Sequence, residues 1–180
     1  MKIAVISDTH LKTGQTIEML PESLVDMLIN SDMIIHAGDF ISLECYNEFS
    51  SMNRLVCVAG NMDCPELKQI LPEHTIFKIS GIRIGVTHRG QLSSADVTGL
   101  GYFARELDVE LLIFGHVHKP QLHSIGDITL LCPGSPTSPR LSEPSAAEIT
   151  IHNKKVSVVF VNFEGRVCDS IRFARYLGGY

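Results

Sequence analysis

Five short polar clusters in this chain could do chemistry: Asp8-Thr9-His10, Gly38-Asp39, Gly60-Asn61, Thr87-His88 and Gly115-His116-Val117-His118. Each follows an apolar run of the kind that fills a buried strand: Ile3 to Ile6, Met33 to Ile35, Leu55 to Ala59, Ile82 to Val86, and Leu111 to Phe114. All five should therefore emerge at the ends of core strands, where open sheets place their ligand sites. Asp8 and His10 stand two residues apart on a chain just leaving a strand, so both can turn toward one point. His116 and His118 can do the same. Carboxylate oxygen, imidazole nitrogen and amide oxygen form a mixed donor set that suits Mn²⁺, Fe, Zn²⁺ or Ni²⁺ without a thiolate.

Taken singly, each cluster has a plainer role. Asp8, Asp39 and Asn61 are also good helix caps or turn residues, and a lone histidine is more often structural than a ligand. The His116 and His118 pair is firmer, because two imidazoles ending a buried strand are costly without partners. The joint occurrence of the five clusters is what points to metal.

The elements that must position them can be read from the same pattern. Lys2 to Ile6, Met33 to His36 and Leu55 to Ala59 are expected to be buried strands with helices between them. The first helix should begin near Pro21, which suits an opening turn, and carry Leu24, Val25, Leu28 and Ile29 on one face. A second should run from about Ser42 to Met52. From His74 to Thr87 the chain breaks at Ser80-Gly81, so it reads as a hairpin. A helix is expected over Asp96 to Asp108, although Gly99 and Gly101 work against it, and a buried strand over Glu110 to Phe114. The remainder reads as mostly β, with turns at Gly126-Asp127 and His152-Asn153-Lys154. Strands and helices early with hairpins late make an α/β (or α+β) chain of two packed sheets covered by helices. The stretch from Cys132 to Arg140 is too rich in proline for a helix, and a long loop within a compact domain is often functional.

With 180 residues, 44% of them hydrophobic and 19% charged, one domain over 1–180 is expected, with a motif-bearing core at 1–163 and a short extension at 164–180. A formal net charge of −5 gives no reason to expect duplex nucleic acid over the surface. The opening apolar run is far shorter than a signal-peptide core or a membrane span, so no membrane association is expected. Cys45, Cys57, Cys64, Cys132 and Cys168 form an odd set without a CxxC pair, which favours a reducing compartment, the cytoplasm by default.

In this order the clusters D-x-H, G-D, G-N, H and G-H-x-H resemble the signature of the calcineurin-like metallophosphoesterase superfamily. The small size, the first motif within eight residues of Met1, and a Pro-Gly-Ser loop ending in Pro-Arg resemble its YfcE-type branch of small phosphodiesterases, which also holds the phosphoesterase-like subunit of the retromer coat. The resemblance covers about residues 1 to 163 and implies the metallo-dependent phosphatase-like fold, a four-layer α-β-β-α sandwich of two mostly mixed sheets.

The resemblance also implies two divalent ions per chain, Mn first, with Ni, Fe, Zn or Mg as the others. Asp8, His10 and His118 would hold one ion, Asn61, His88 and His116 the other, and Asp39 would bridge both. Asp39, Asn61 and His88 would be catalytic as well as metal-holding, and His36, His74, His123 and His152 structural or superficial. Two ions about 3.5 to 4 Å apart can share a hydroxide for in-line attack on phosphorus, and roughly +4 from the metals against about −3 from two carboxylates and a hydroxide leaves a positive centre for phosphate. The expected substrate is a small phosphate ester, a diester by branch resemblance. A phosphomonoesterase and a non-catalytic scaffold of the retromer-subunit type are the alternatives, and a homo-oligomer is compatible with the branch.

Two departures stand out. Larger members read G-N-H-D or G-N-H-E where this chain reads Gly60-Asn61-Met62-Asp63, and Met62 has no proton to donate to a leaving group. Where the branch reads His-Gly-His, this chain reads His88-Arg89-Gly90. Arg89, like Arg140 at the end of the Pro-rich loop, either reaches the substrate phosphate with its planar fork of donors or is a simple solvated arginine.

Overall fold

The computed structural model describes residues 1–88 and 97–164. Among the described residues, ten strands form two five-stranded sheets. The first has the order β10-β9-β1-β2-β3, built from β1 (Lys2–Ile6), β2 (Met33–His36), β3 (Leu55–Cys57), β9 (Ser145–His152) and β10 (Lys155–Asn162). The second has the order β4-β5-β6-β8-β7, built from β4 (His74–Ile79), β5 (Ile82–Thr87), β6 (Leu111–Phe114), β7 (Pro120–Ile125) and β8 (Ile128–Pro133). Strands β1, β2 and β3 run parallel, as do β5, β6 and β8, and antiparallel strands flank each parallel set. Both sheets are thus mixed.

Strand alternation divides the apolar residues into layers. Ile3, Val5, Met33 and Ile35 point into the space between the sheets, where they meet Ile82, Ile84, Val86, Leu111 and Ile113. The intervening Ala4, Ile6 and Ile34 point the other way, under Leu24 and Leu28 of α1 (Glu22–Ile29), Cys45 and Phe49 of α2 (Leu43–Met52) and Leu67 of α3 (Pro65–Ile70). On the second sheet Leu112, Phe114 and Leu130 take the outer face, beneath Leu100, Phe103 and Ala104 of α4 (Val97–Glu106). Helix, sheet, sheet and helix make the four-layer α/β sandwich that the sequence resemblance implies.

Local reasons for these elements are plain. Ser42 caps α2 by accepting the Cys45 amide hydrogen at 3.2 Å. The hairpin β4–β5 turns at Ser80 and Gly81, both with positive φ. Helix α4 runs through its glycines because Gly101 lies against β7: a Cβ there would sit 2.7 Å from Ile125 Cδ1, so tertiary contact overrides weak propensity.

Three details depart from the sequence expectations. Ile29 does not join the buried face of α1 and is 56% exposed. It lies about 140° round the helix from Leu24, whereas Leu28 lies only about 40° away. Leu55, Val56 and Cys57 are half-buried, because β3 is the edge of its sheet. Helix α3 was not anticipated, since six residues are too few to show a helical period. Its signal is Pro65 at the first helical position with Glu66 in the first turn.

Candidate metal centre

The five clusters leave the C-terminal ends of β1, β2, β3, β5 and β6, parallel strands from both sheets, and converge in one place. Five of the seven side chains named from sequence sit on left-handed backbone: Asp8 (φ 54°), His10 (48°), Asp39 (62°), His116 (73°) and His118 (59°). Non-glycine residues rarely adopt this region, and such strain gathers where neighbouring structure over-determines the chain at functional sites. Here the loops brace one another. The Asp8 amide donates to the Gly38 carbonyl at 3.0 Å and the His10 amide to the Asp39 carbonyl at 3.1 Å. Gly60 lies so close to Asp39 that a Cβ would fall 2.1 Å from Asp39 Oδ1.

Ligand atoms of Asp8, His10, Asp39 and His118 all lie within 4.8 Å of one another. Beside them, Asn61 Oδ1 is 3.1 Å from His88 Nε2 and 2.8 Å from His116 Nδ1. Asp39 faces both groups, with Oδ2 3.5 Å from His10 Nε2 and 3.2 Å from His88 Nε2.

Proton placement shows what the cluster lacks. His88 Nδ1 is 2.6 Å from the Ala37 carbonyl, and His118 Nδ1 meets the Ser138 carbonyl. A carbonyl can only accept, so each Nδ1 carries a proton and each Nε2 is the ring nitrogen left to face the cluster. Asp8 Oδ2 accepts from the Ser7 hydroxyl at 2.6 Å and the His116 amide at 3.0 Å. Asp8 Oδ1, although buried, has no donor, and neither has His10 Nε2 a partner. Two such buried, unpartnered atoms in one place are costly unless a cation joins them, so these residues fit a divalent metal.

The titration shifts agree. Burial works against an ionised Asp8, but the His10 and His118 rings beside it and the nearby His88 charge outweigh it and hold the carboxyl far below the usual range. Asp39 is likewise lowered: burial opposes ionisation, and the His88 contact and the Met62 amide overcome it. His88 is raised despite burial, because Asp39 and Asp8 face it. Positive charge is thus favoured between these groups. His116 is lowered by burial and by His88, with Arg140 adding to the effect.

That last interaction brings the exposed Arg140 guanidinium into the field of the site, while its backbone N–H donates to the His118 carbonyl at 3.1 Å. Arg89 lies outside the described residues. Met62 borders the site and is 55% exposed.

Several supporting groups were missed by sequence reasoning. His36, grouped there with structural histidines, lies beneath the site: Nε2 is 3.0 Å from Thr9 Oγ1, and the ring stacks on Phe40 with centroids 3.5 Å apart. The Pro-rich loop, flagged by its prolines, clamps the first motif. Ser135 donates to the Asp8 carbonyl at 2.7 Å, Thr137 to the Thr9 carbonyl, and Ser138 supplies the acceptor for His118. Only the loop's density of proline and serine hinted at this role.

A buried carboxylate–imidazole cluster at the strand ends of a four-layer α-β-β-α sandwich defines a metallophosphoesterase-type protein. Residues 1–154 match the calcineurin-like phosphoesterase superfamily domain, and the chain belongs to that superfamily. It is 35% identical over 175 residues to a probable metallophosphoesterase of Methanothermobacter thermautotrophicus, covering 97% of this chain and 100% of the relative. It is 28% identical to a phosphodiesterase of Methanocaldococcus jannaschii over 152 residues, 74% of this chain and 83% of that one. Among solved structures it resembles wild-type Vps29 of Entamoeba histolytica complexed with Zn²⁺, with 27% identity, a TM-score of 0.72, and coverage of 91% of this chain and 100% of that one.

Proposed function

We propose that this chain is a metal-dependent phosphodiesterase that holds two divalent ions, Mn²⁺ foremost, and hydrolyses small phosphate diesters. The observation that carries the reading is the bare Asp8 Oδ1, buried and donorless, with the Nε2 of His118 at 3.1 Å. The likeness to a phosphodiesterase of M. jannaschii supports the diester.

Asp8, His10 and His118 would hold one ion and Asn61, His88 and His116 the other, with Asp39 between them. Bound ions would neutralise charge on the phosphate oxygens and acidify a water as nucleophile. The chain's own contribution is positioning. The Ala37 and Ser138 carbonyls engage Nδ1 of His88 and His118 and aim each Nε2 inward, so neither ring has to reorganise during turnover. Arg140, and Arg89 by its place next to His88, would meet the phosphate. Met62 has no proton for the leaving group, so good leaving groups should be preferred.

Four free cysteines among the described residues support a reducing compartment, the cytoplasm. No helix of the described residues is long and apolar enough to cross a membrane. Small esters are the proposed substrates rather than duplex nucleic acid, given the net charge of −5.

A second reading, a scaffold of the retromer-subunit type, is favoured by the likeness to Vps29. Aryl and natural diesters and monoesters assayed with Mn²⁺, Ni²⁺, Mg²⁺ and Zn²⁺, beside Asp39→Asn, separate these readings. Diester turnover lost in the variant supports the phosphodiesterase, and monoester preference supports a phosphatase. Stoichiometric metal uptake with no turnover on any ester supports the scaffold.

A further inference from the structure

Asp63 is a carboxylate only 3% exposed that the proposed chemistry does not use. Its oxygens are divided between two loops. Oδ1 accepts the Ile41 amide hydrogen at 2.8 Å, and Oδ2 accepts the Gly60 amide hydrogen at 2.7 Å. One of these residues stands two positions after Asp39, and the other stands immediately before Asn61.

Ile41 has φ 82°, which is unusual for a β-branched residue and requires neighbours that hold it there. Asp63 is one, and the Ile41 carbonyl is held from the same loop by the Cys64 amide at 3.0 Å. In return, the Met62 amide donates to Asp39 Oδ1 at 2.7 Å. Each loop therefore gives a carboxylate to an amide of the other.

We infer that Asp63 is a positioning residue: it locks the loop carrying Asp39 to the loop carrying Asn61 and so sets the spacing between the two side chains. The inference deepens the two-ion reading and rests on it for its consequence in metal binding. A carboxylate suits the task because both of its oxygens accept, whereas an asparagine must turn a donor toward one of the two amides. Bridging two charge-assisted bonds through one buried group also makes the spacing insensitive to side-chain motion at the exposed Met62.

The test uses the full-length Asp63→Asn protein. In metal-free samples, amide exchange followed by NMR should show the Met62 N–H losing protection at least ~10-fold, although its own acceptor Asp39 is unaltered, while Val5 and Ile34 in the core strands keep theirs. Calorimetric titration with Mn²⁺ alone should show the weaker of two binding events weakened about 10- to 100-fold, the range for groups that orient ligands. Electron paramagnetic resonance should show the coupled Mn²⁺ pair giving way to isolated ions. Unchanged Met62 protection in the variant overturns the positioning role. If the native protein takes up fewer than two ions while Met62 behaves as described, Asp63 keeps its role and the two-ion reading fails. Should Asp63→Asn unfold, the same exchange measured on Ile41→Gly, which relieves the strained position, is expected to preserve Met62 protection, and its loss there counts against the lock.

Discussion

Nε2 of His118 stands 3.1 Å from Oδ1 of Asp8, a buried oxygen that accepts no hydrogen bond. Nδ1 of His118 is turned to the Ser138 carbonyl, and the Asp8 carboxyl is held ionised by its surroundings. Both atoms face one point, where a cation would join them.

Metal should therefore stabilise the fold strongly. At free Mn²⁺ a hundredfold above Kd, one site contributes about 2.7 kcal/mol, or about 5 to 11 °C in Tm for a chain of this size. Asp8→Asn should abolish the rise and also lower the Tm of the metal-free protein, because the folded state holds the Asp8 carboxyl in its ionised form. Calorimetry with Mn²⁺ and with chelator measures both, and a metal-free Asp8→Asn protein at or above the native Tm contradicts this account.

Asp39→Asn should retain the fold, since its amide oxygen can still accept from Met62. Diester turnover should fall by at least ~100-fold, the scale for removing one charge-organising group from a site. Steady-state rates with an aryl phosphodiester and Mn²⁺ provide the measurement, and a loss below tenfold removes Asp39 from the centre of the chemistry.

Met62 is 55% exposed, so substitution there carries no cost in core packing. Met62→His should raise cleavage of alkyl diesters by about tenfold or more, by supplying a donor to the leaving oxygen, and leave activated aryl diesters nearly unchanged. The native protein should prefer aryl over alkyl esters. Comparable native rates on the two classes would sink the idea that the missing donor limits this enzyme.

His36 predicts the acid side of the stability curve. Burial lowers its pKa to about 3 from an ordinary 6.5. As pH falls through 6.5 the unfolded chain takes up a proton that the folded chain refuses until about 3, so stability declines across that window, by ~1.4 kcal/mol per pH unit at full effect. Above pH 6.5 its titration adds no pH dependence. Urea midpoints of native and His36→Gln proteins between pH 7 and 4.5 should diverge with that slope, and parallel curves refute it.

Much of this protein was already determined by its residue pattern. Apolar runs such as Ile3 to Ile6 and Ile82 to Val86 mark the buried strands, and polar clusters after them mark where strands end. Those two signals are local, so the five clusters could be found before any fold was known, and their resemblance to the family signature then singled out Asp8, His10, Asp39, Asn61, His88, His116 and His118. Tertiary structure decided what local pattern cannot carry. The pairing of β9 with β1 follows from sheet order, and exposure of Ile29 and β3 depends on what else packs nearby. The placing of Ser138 behind His118, of His36 beneath Thr9, and of Asp63 between two loops depends on distances between residues remote in the chain. Hydrogen-bond partners are chosen by register and close approach, and these exist only once both sheets have closed on their shared core.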